Sequence, residues 1–291
     1  MAFIDLIRKL FGRPATPLRP TSVPETPAET VSEPDIPTIV PEAPTAAEAM
    51  IEPRAAPEPD MLQLSAERRN QFWASVGEVE SDVLAHLISP GLMGGPAWPT
   101  TRQAYRVVRR ANGSIVIATD GLSDPFDNGG GTNGFGLELF VESSDLPADL
   151  AGAPGNVAPL ARSWMLELLR NVAATVANAG GIEAQLNRYG ALSTEVPGVS
   201  ASHAIKHQVP ASFVTDDDAI GALIGGPAPD FGTQIDDMPL SPIRIVPVVL
   251  LTAAELQEIR AGDGETRNAM VARLAATSTG HRCDIGRLSV V

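Results

Sequence analysis

The stretch from Ala118 to Glu142, ATDGLSDPFDNGGGTNGFGLELFVE, constrains the fold more than any other part of the chain. Just before it, Ile115 to Thr119 is apolar and β-branched, which reads as a buried strand. Asp120-Gly121 and Ser123-Asp124-Pro125 are turn formers that stop it. Phe135, Leu137, Leu139 and Val141 then alternate with Gly136, Glu138, Phe140 and Glu142, the period of a half-buried strand. Upstream, Tyr105 and Val107 alternate with Arg106 and Val108, and Asn112-Gly113 separates that run from Ile115. Asn-Gly between two such runs predicts a hairpin closed by a type I′ turn, with positive φ at both central residues.

The glycines of this loop, Gly129 to Gly131 and Gly134-x-Gly136, suggest a phosphate cradle, but the chemistry is missing. A Walker loop needs Gly-Lys-Ser/Thr, and no lysine is present. A dinucleotide fingerprint needs a helix straight after the glycines, and a strand pattern follows instead. GLSDP is not the G-x-S-x-G of a nucleophile elbow, so Ser123 is not expected to attack anything. Ser123 or Asp124 is expected to cap the backbone of the turn.

Helical periodicity fills much of the rest. Ser65 is a good N-cap for a helix carrying Phe72, Val76, Val79, Val83, Leu84, Leu87 and Ile88, ended by Pro90-Gly91. Trp98 follows in a loop, where it plugs an edge of the core. Leu160 to Ala179 is the clearest helix, with Leu160, Trp164, Leu168, Val172 and Val176 on one face and Met165 and Leu169 beside them. Its wide apolar face calls for packing against a sheet, and Gly180-Gly181 closes it. Ile182 to Tyr189 reads as a short amphipathic turn or helix, and Gly190 to Gly198 as loop. Pro242 to Leu251 is a buried strand that Pro247 places near a bulge or an edge. Thr252-x-x-Glu255 is a capping box opening a helix over Ala253 to Arg260. Glu265 to Ala276 is a second helix with Met270, Val271 and Leu274 inward, and Ile285 to Val291 reads as a terminal strand. The expected fold class is α+β: a mixed sheet packed with helices, spanning residues 65–291.

The N-terminal part is a different material. Met1 to Arg13 places Phe3, Ile7, Leu10 and Phe11 at helical spacing, an amphipathic helix too short to be stable alone in water. It needs a partner groove, a membrane surface or the protein's own body, and is otherwise a frayed terminus; its Arg8, Lys9 and Arg13 suit a membrane only weakly. Pro14 to Asp60 holds twelve prolines, nine acids and two arginines, with no Phe, Trp or Tyr. Such a segment cannot offset its ordering entropy and reads as a disordered, extended tether. PxxP spacings occur in it, but a spacer is the simpler reading.

Charge bounds the partners. The chain of 291 residues carries a formal net charge of -14, half of it on Pro14 to Asp60. Nucleic acid is not an expected partner, since phosphate binding needs a basic patch. The single cysteine, Cys283, rules out an intramolecular disulfide. No apolar run approaches the roughly 20 residues that span a bilayer, and no signal peptide is evident, so a cytoplasmic protein is expected. Arg102, Arg106, Arg109 and Arg110 form a basic island on the hairpin, either neutralised by neighbouring acids or a docking point for an acidic partner segment.

His203 and His207 would share a face on a helix, as zinc ligands do, but Ala204 stands where HExxH has its glutamate. Asp216, Asp217 and Asp218 follow without calcium-loop spacing and read as surface acids and turn caps. A metal-dependent hydrolase built from these five residues is the rival to a binding module. No cofactor, metal or catalytic residue is expected.

GLSD at Gly121, Leu122, Ser123 and Asp124, followed by GFGLEL with Gly134, Phe135, Gly136 and Glu138, resembles the suppressor-of-fused-like domain. The central helix, the late apolar strand, the T-x-x-E-L helix start at Thr252 to Leu256 and Arg287-Leu288-Ser289 follow in the same order as in that family. The resemblance covers Arg68 to Val291 and leaves Gly190 to Asp237 unmatched. It implies a non-enzymatic α+β domain that binds other proteins. Bacterial examples resemble immunity or accessory proteins of polymorphic toxins, and animal relatives hold a transcription factor by strand addition. A scaffold recruited to membranes through residues 1–13 is a further alternative.

Overall fold

Asp60, and not Ser65, opens the first helix. The structure, a computed structural model, describes residues 60–85, 91, 94–126 and 131–291. Contacts divide the chain into Met1–Glu58 and Pro59–Val291, and the described helices and strands all belong to the second unit. The expected helix over Met1 to Arg13 and the expected tether from Pro14 onwards lie outside the described residues. Asp60 Oδ1 accepts from the N–H groups of Leu62 (2.9 Å) and Gln63 (3.2 Å), which fixes the start of α1 (Met61–Val76). The helix ends at Gly77, whose N–H bonds Trp73 O. A Cβ on Gly77 would lie 2.5 Å from Arg109 O, so a glycine is needed for the chain to turn straight into the sheet. Glu78–Ala85 is therefore strand β1, where the sequence suggests continued helix. Val79, Val83 and Leu84 extend the spacing of Val76 only by coincidence; Leu87, Ile88 and Pro90 lie outside the described residues.

Among the described residues seven α-helices and eight strands follow one another. After β1 come β2 (Ala104–Arg109), β3 (Ile115–Asp120), β4 (Leu137–Ser143), α2 (Ala148–Ala151), α3 (Trp164–Asn178), α4 (Glu183–Tyr189), β5 (Leu192–Pro197) and α5 (His203–Gln208). Then come β6 (Ala219–Ile224), β7 (Gln234–Ile235), β8 (Ile243–Leu251), α6 (Ala253–Ala261) and α7 (Gly264–Ala275). The strands form one mixed sheet in the order β1-β2-β3-β4-β8-β6-β5, with β7 paired to the start of β8. β1 to β4 run antiparallel, β4 and β8 run parallel, and β8, β6 and β5 run antiparallel again.

The β2–β3 hairpin forms with Ile117 opposite Val107, as its alternation demands. Its turn is not type I′. Arg110 N–H bonds Ser114 O (2.9 Å), Gly113 N–H bonds Arg110 O (3.0 Å), and Gly113 has φ +86° while Asn112 is not left-handed. This is a three-residue loop with one glycine in the left-handed region. Asn112 serves differently: its Oδ1 accepts from Ser114 N (2.9 Å).

Both faces of the sheet centre are covered, so β4 is buried along its whole length and not on one face. Ile115, Ile117, Leu137, Leu139 and Val141 meet α3, which buries Trp164, Met165, Leu168, Leu169 and Val172. Each such side chain removed from water contributes roughly 1.5–3 kcal/mol. Val116, Ala118 and Phe140 point to the other face, where Trp73 of α1 stands edge-on to Phe140 with ring centroids 5.9 Å apart. Glu138 and Glu142 also point to this second face, and both are wholly buried.

Three further expectations change. Pro247 is in the middle of a central strand. One side of β8 pairs with β7 at Ile243 and Arg244 and with β6 only from Val248, so the missing N–H falls where the partner changes. Gly190 to Gly198 contains β5, whose polar Ser193, Thr194 and Glu195 disguise it. The terminal segment is no strand: Leu288 is 88% exposed, and the tail is held by polar ties. Arg287 pairs with Glu255 (2.5 Å), and Val290 N–H bonds the same carboxylate (3.0 Å). The Thr252–Glu255 capping box forms as expected, as do the inward Met270 and Leu274.

Candidate functional site

The GLSD turn and the GFGLEL strand meet around a residue to which the sequence drew no attention, Arg69. Ser65, Arg69 and Trp73 are the buried stripe of α1, one turn apart, and they lie over the ends of β3 and β4. Arg69 Nε donates to Asp120 Oδ1 (2.8 Å), Nη1 to Ser123 Oγ (3.1 Å) and Nη2 to Asp124 Oδ1 (2.5 Å). Glu138 Oε1 lies 3.8 Å from Arg69 Nε. It accepts from Gly121 N (3.0 Å), Ser123 N (2.9 Å) and Ser123 Oγ (2.6 Å), while its Oε2 accepts from Thr119 Oγ1 (2.5 Å). Asp120 Oδ2 also takes Arg102 (2.5 Å) and Arg106 (2.7 Å). Three guanidiniums thus face three carboxylates, which is what allows charges to be kept out of water.

Ser123 and Asp124 therefore do not cap their own turn: their side chains meet Arg69 and Glu138, and it is Glu138 that takes the turn's N–H groups at Gly121 and Ser123. Burial pushes the Glu138 carboxyl above the usual range, with Asp120 adding to it against Arg69. Burial acts the same way on Asp120, but Arg69, Arg102 and Arg106 outweigh it and hold that carboxyl below the usual range. The glycines shape the knot. Gly134 has φ +50°, and a Cβ there would sit 2.5 Å from Leu122 O and 2.6 Å from Asp124 O. Leu122 is fully buried, Phe135 N–H bonds Leu122 O (2.8 Å), and Gly136 has φ +71° beside Glu183. Asn133 clamps the assembly, donating to Ser65 Oγ (2.8 Å) and accepting from Leu240 N (2.9 Å). Arg69, Ser123, Asp124, Asn133 and Glu138 have no exposed surface, so no substrate reaches them. What this arrangement does is lock α1 to the sheet.

The basic island is ion-paired throughout. Besides Arg102 and Arg106, Arg109 pairs with Glu80, and Arg110 joins Asp230 (2.7 Å) and Glu142 (3.1 Å). Glu142 also meets His281 Nε2 at 2.8 Å and Ser114 Oγ. His203 and His207 do lie on one face of α5, exposed, with ring centroids 4.5 Å apart. Asp217 pairs with Arg260 (3.0 Å), and Asp218, at φ +59°, accepts from Ser200 N (2.9 Å). Among the described residues no group of three or more His, Cys, Asp and Glu side chains is placed to hold a metal. Cys283 is buried, and burial pushes its thiol up to about 12. No helix among the described residues is long and apolar enough to cross a membrane.

The open feature is backbone. β5 closes the sheet on one side, and its pairing with β6 is regular over six residues. Gly198 N–H bonds Asp218 O (2.8 Å), while Ala219 gives both its backbone groups to Thr215. Pro197 and Ala219 are thus a non-hydrogen-bonded pair, and alternation turns Leu192, Thr194 and Val196 toward β6. The N–H and C=O groups of Ser193 and Glu195 face outward, with no hydrogen bond among the described residues. The opposite edge, β1, is blunted: its register breaks between Val79 and Val83, a bulge flanked by Glu78, Glu80 and Asp82.

No family model matches the sequence, and no curated protein matches it. Among solved structures, that of a Sufu–Fu complex is similar, with TM-score 0.48 and 15% identity over 79% of this chain and 91% of that one. Drosophila Suppressor of Fused is similar with TM-score 0.43 and 15% identity, over 77% of this chain and 50% of that one. The likeness is one of fold.

Proposed function

We propose that the protein is a binding module that takes an extended segment of another protein as an added strand on β5. The observation that carries this is the outward backbone of Ser193 and Glu195 on a regular edge, with no hydrogen bond among the described residues. Strand addition draws its affinity from such groups and its selectivity from neighbouring side chains. A net charge of -14 favours a basic partner and speeds its approach. The resemblance of GLSD and GFGLEL to the suppressor-of-fused-like family implies the same class of function, and its bacterial form would make the chain an immunity or accessory protein for a basic toxin.

The test is to isolate the full chain from its native host with whatever binds it stoichiometrically, rebuild the complex from purified parts, and follow amide exchange. Slowed exchange at residues 192–197 is expected. Protection confined to other segments would overturn strand addition, and a chain that never carries a stoichiometric partner would overturn the module.

A further inference from the structure

Among the described residues, three shielded side-chain nitrogens lack a hydrogen-bond partner: Arg106 Nε, Trp164 Nε1 and Arg170 Nε. Arg106 satisfies its terminal nitrogens with Asn70 and Asp120. Arg170 has no hydrogen bond or ion pair of any kind among the described residues, only the Tyr105 ring beneath it, 5.8 Å from guanidinium carbon to centroid. Arg170 borders a cleft of about 350 Å³ walled by Trp98 and Tyr105, with Gln103, Glu167 and Asn171 around it. The two aromatic rings stand edge-to-face, 5.9 Å apart.

We propose that this cleft binds one carboxylate carried on a flat apolar group. The guanidinium matches a carboxylate with paired donors. The Trp98–Tyr105 wall matches an aromatic ring. The volume is at the low end of the roughly 300–1,000 Å³ of ligand pockets, which admits a ring-sized acid and excludes a nucleotide. Glu167, one turn before Arg170 on α3, has no ion pair of its own among the described residues and repels a second carboxylate, so the ligand carries one. A free aromatic acid and the terminal carboxylate of a peptide ending in an aromatic residue share this chemistry. The site involves none of the β5 residues.

The experiment titrates the full chain with benzoate and with benzamide, its neutral counterpart, following the indole N–H resonance of Trp98, assigned with Trp98→Phe. Benzoate is expected to shift it, and benzamide to bind at least about tenfold more weakly. Arg170→Gln, with its melting temperature checked against the parent, is expected to lose benzoate by a similar factor, and Glu167→Gln to bind it more tightly. A short peptide ending in Phe, free or amidated, forms the second arm. A shift by benzoate alone assigns a small acid, and one by the free but not the amidated peptide assigns a chain terminus. Equal binding of benzamide, retained binding in Arg170→Gln, or no shift with either probe overturns the proposal.

Discussion

Arg69 Nε lies 2.8 Å from Asp120 Oδ1, and neither side chain is more than 1% exposed. This contact joins the first helix to the end of β3, and the same cation also holds Ser123 and Asp124. Arg69→Met would leave Asp124 and Glu138 buried without their nearest cation, and Asp120 with Arg102 and Arg106 alone. Breaking a buried ion pair from one side costs about 3–5 kcal/mol, a large part of the stability of an ordinary domain. The expectation is a urea midpoint lowered accordingly, or a chain that no longer accumulates folded. A loss below about 1 kcal/mol would mean that Arg69 contributes no more than a single ordinary hydrogen bond.

Acid should unfold the protein, with a sign that can be checked residue by residue. Burial opposes ionisation of Asp120, Glu142 and Glu255, but Arg69 with Arg102 and Arg106, His281 with Ser114, and Arg287 respectively hold them below the usual range. Their stabilisation is complete above about pH 5 and is lost as pH falls through the ordinary values toward the lowered ones. Glu138 works the other way: burial raises it, so protonating it favours the folded chain as pH falls. Glu138→Gln removes that relief. The variant should therefore lose more stability between neutral pH and about pH 3 than the parent does, each against its own neutral value. Parallel stability curves would contradict this assignment.

Two glycines with positive φ should respond unequally to alanine. Gly113→Ala meets open space and should cost about 1 kcal/mol from backbone conformation alone. Gly134→Ala places a Cβ within 2.8 Å of Leu122 O, Asp124 O and Pro99, and it distorts the loop that presents Asn133. Its cost should exceed that of Gly113→Ala by about 2 kcal/mol or more, measured by denaturant unfolding.

The parts of the fold that were legible in the sequence are those with a strong local signal. α3 has an unbroken apolar face, Thr252 and Glu255 cap one another, and β2 and β3 alternate around Asn112-Gly113. The parts that were not legible depend on the tertiary environment. Val79 and Val83 suit a helix as well as a strand, and only the approach of Arg109 to Gly77 decides. β5 is polar because it is an edge, and Pro247 looked like an edge residue because its partner change involves strands distant in sequence. The motif region was legible as a location but not as a mechanism. Acids at 120, 124, 138 and 142 within an apolar stretch called for buried cations, and that charge count was the available signal. Nothing local marked Arg69 on a helix that also carries Arg68, which is half-buried and pairs with Asp237.

Proline separates the two sides of β5. Thr194 faces β6, so Thr194→Pro removes a ladder bond opposite Ala222 and should cost about 3 kcal/mol, visible as a lowered melting temperature. Ser193 faces outward, and proline is tolerated where the missing N–H points to solvent. Ser193→Pro should therefore keep the fold while lowering partner affinity at least about tenfold, since it deletes a donor that an added strand would use. Ser193→Ala keeps that donor and should bind as the parent does. A folded Ser193→Pro variant with undiminished affinity would place the partner away from this edge, and equal losses in Ser193→Ala and Ser193→Pro would make the hydroxyl, and not the backbone, the recognised group.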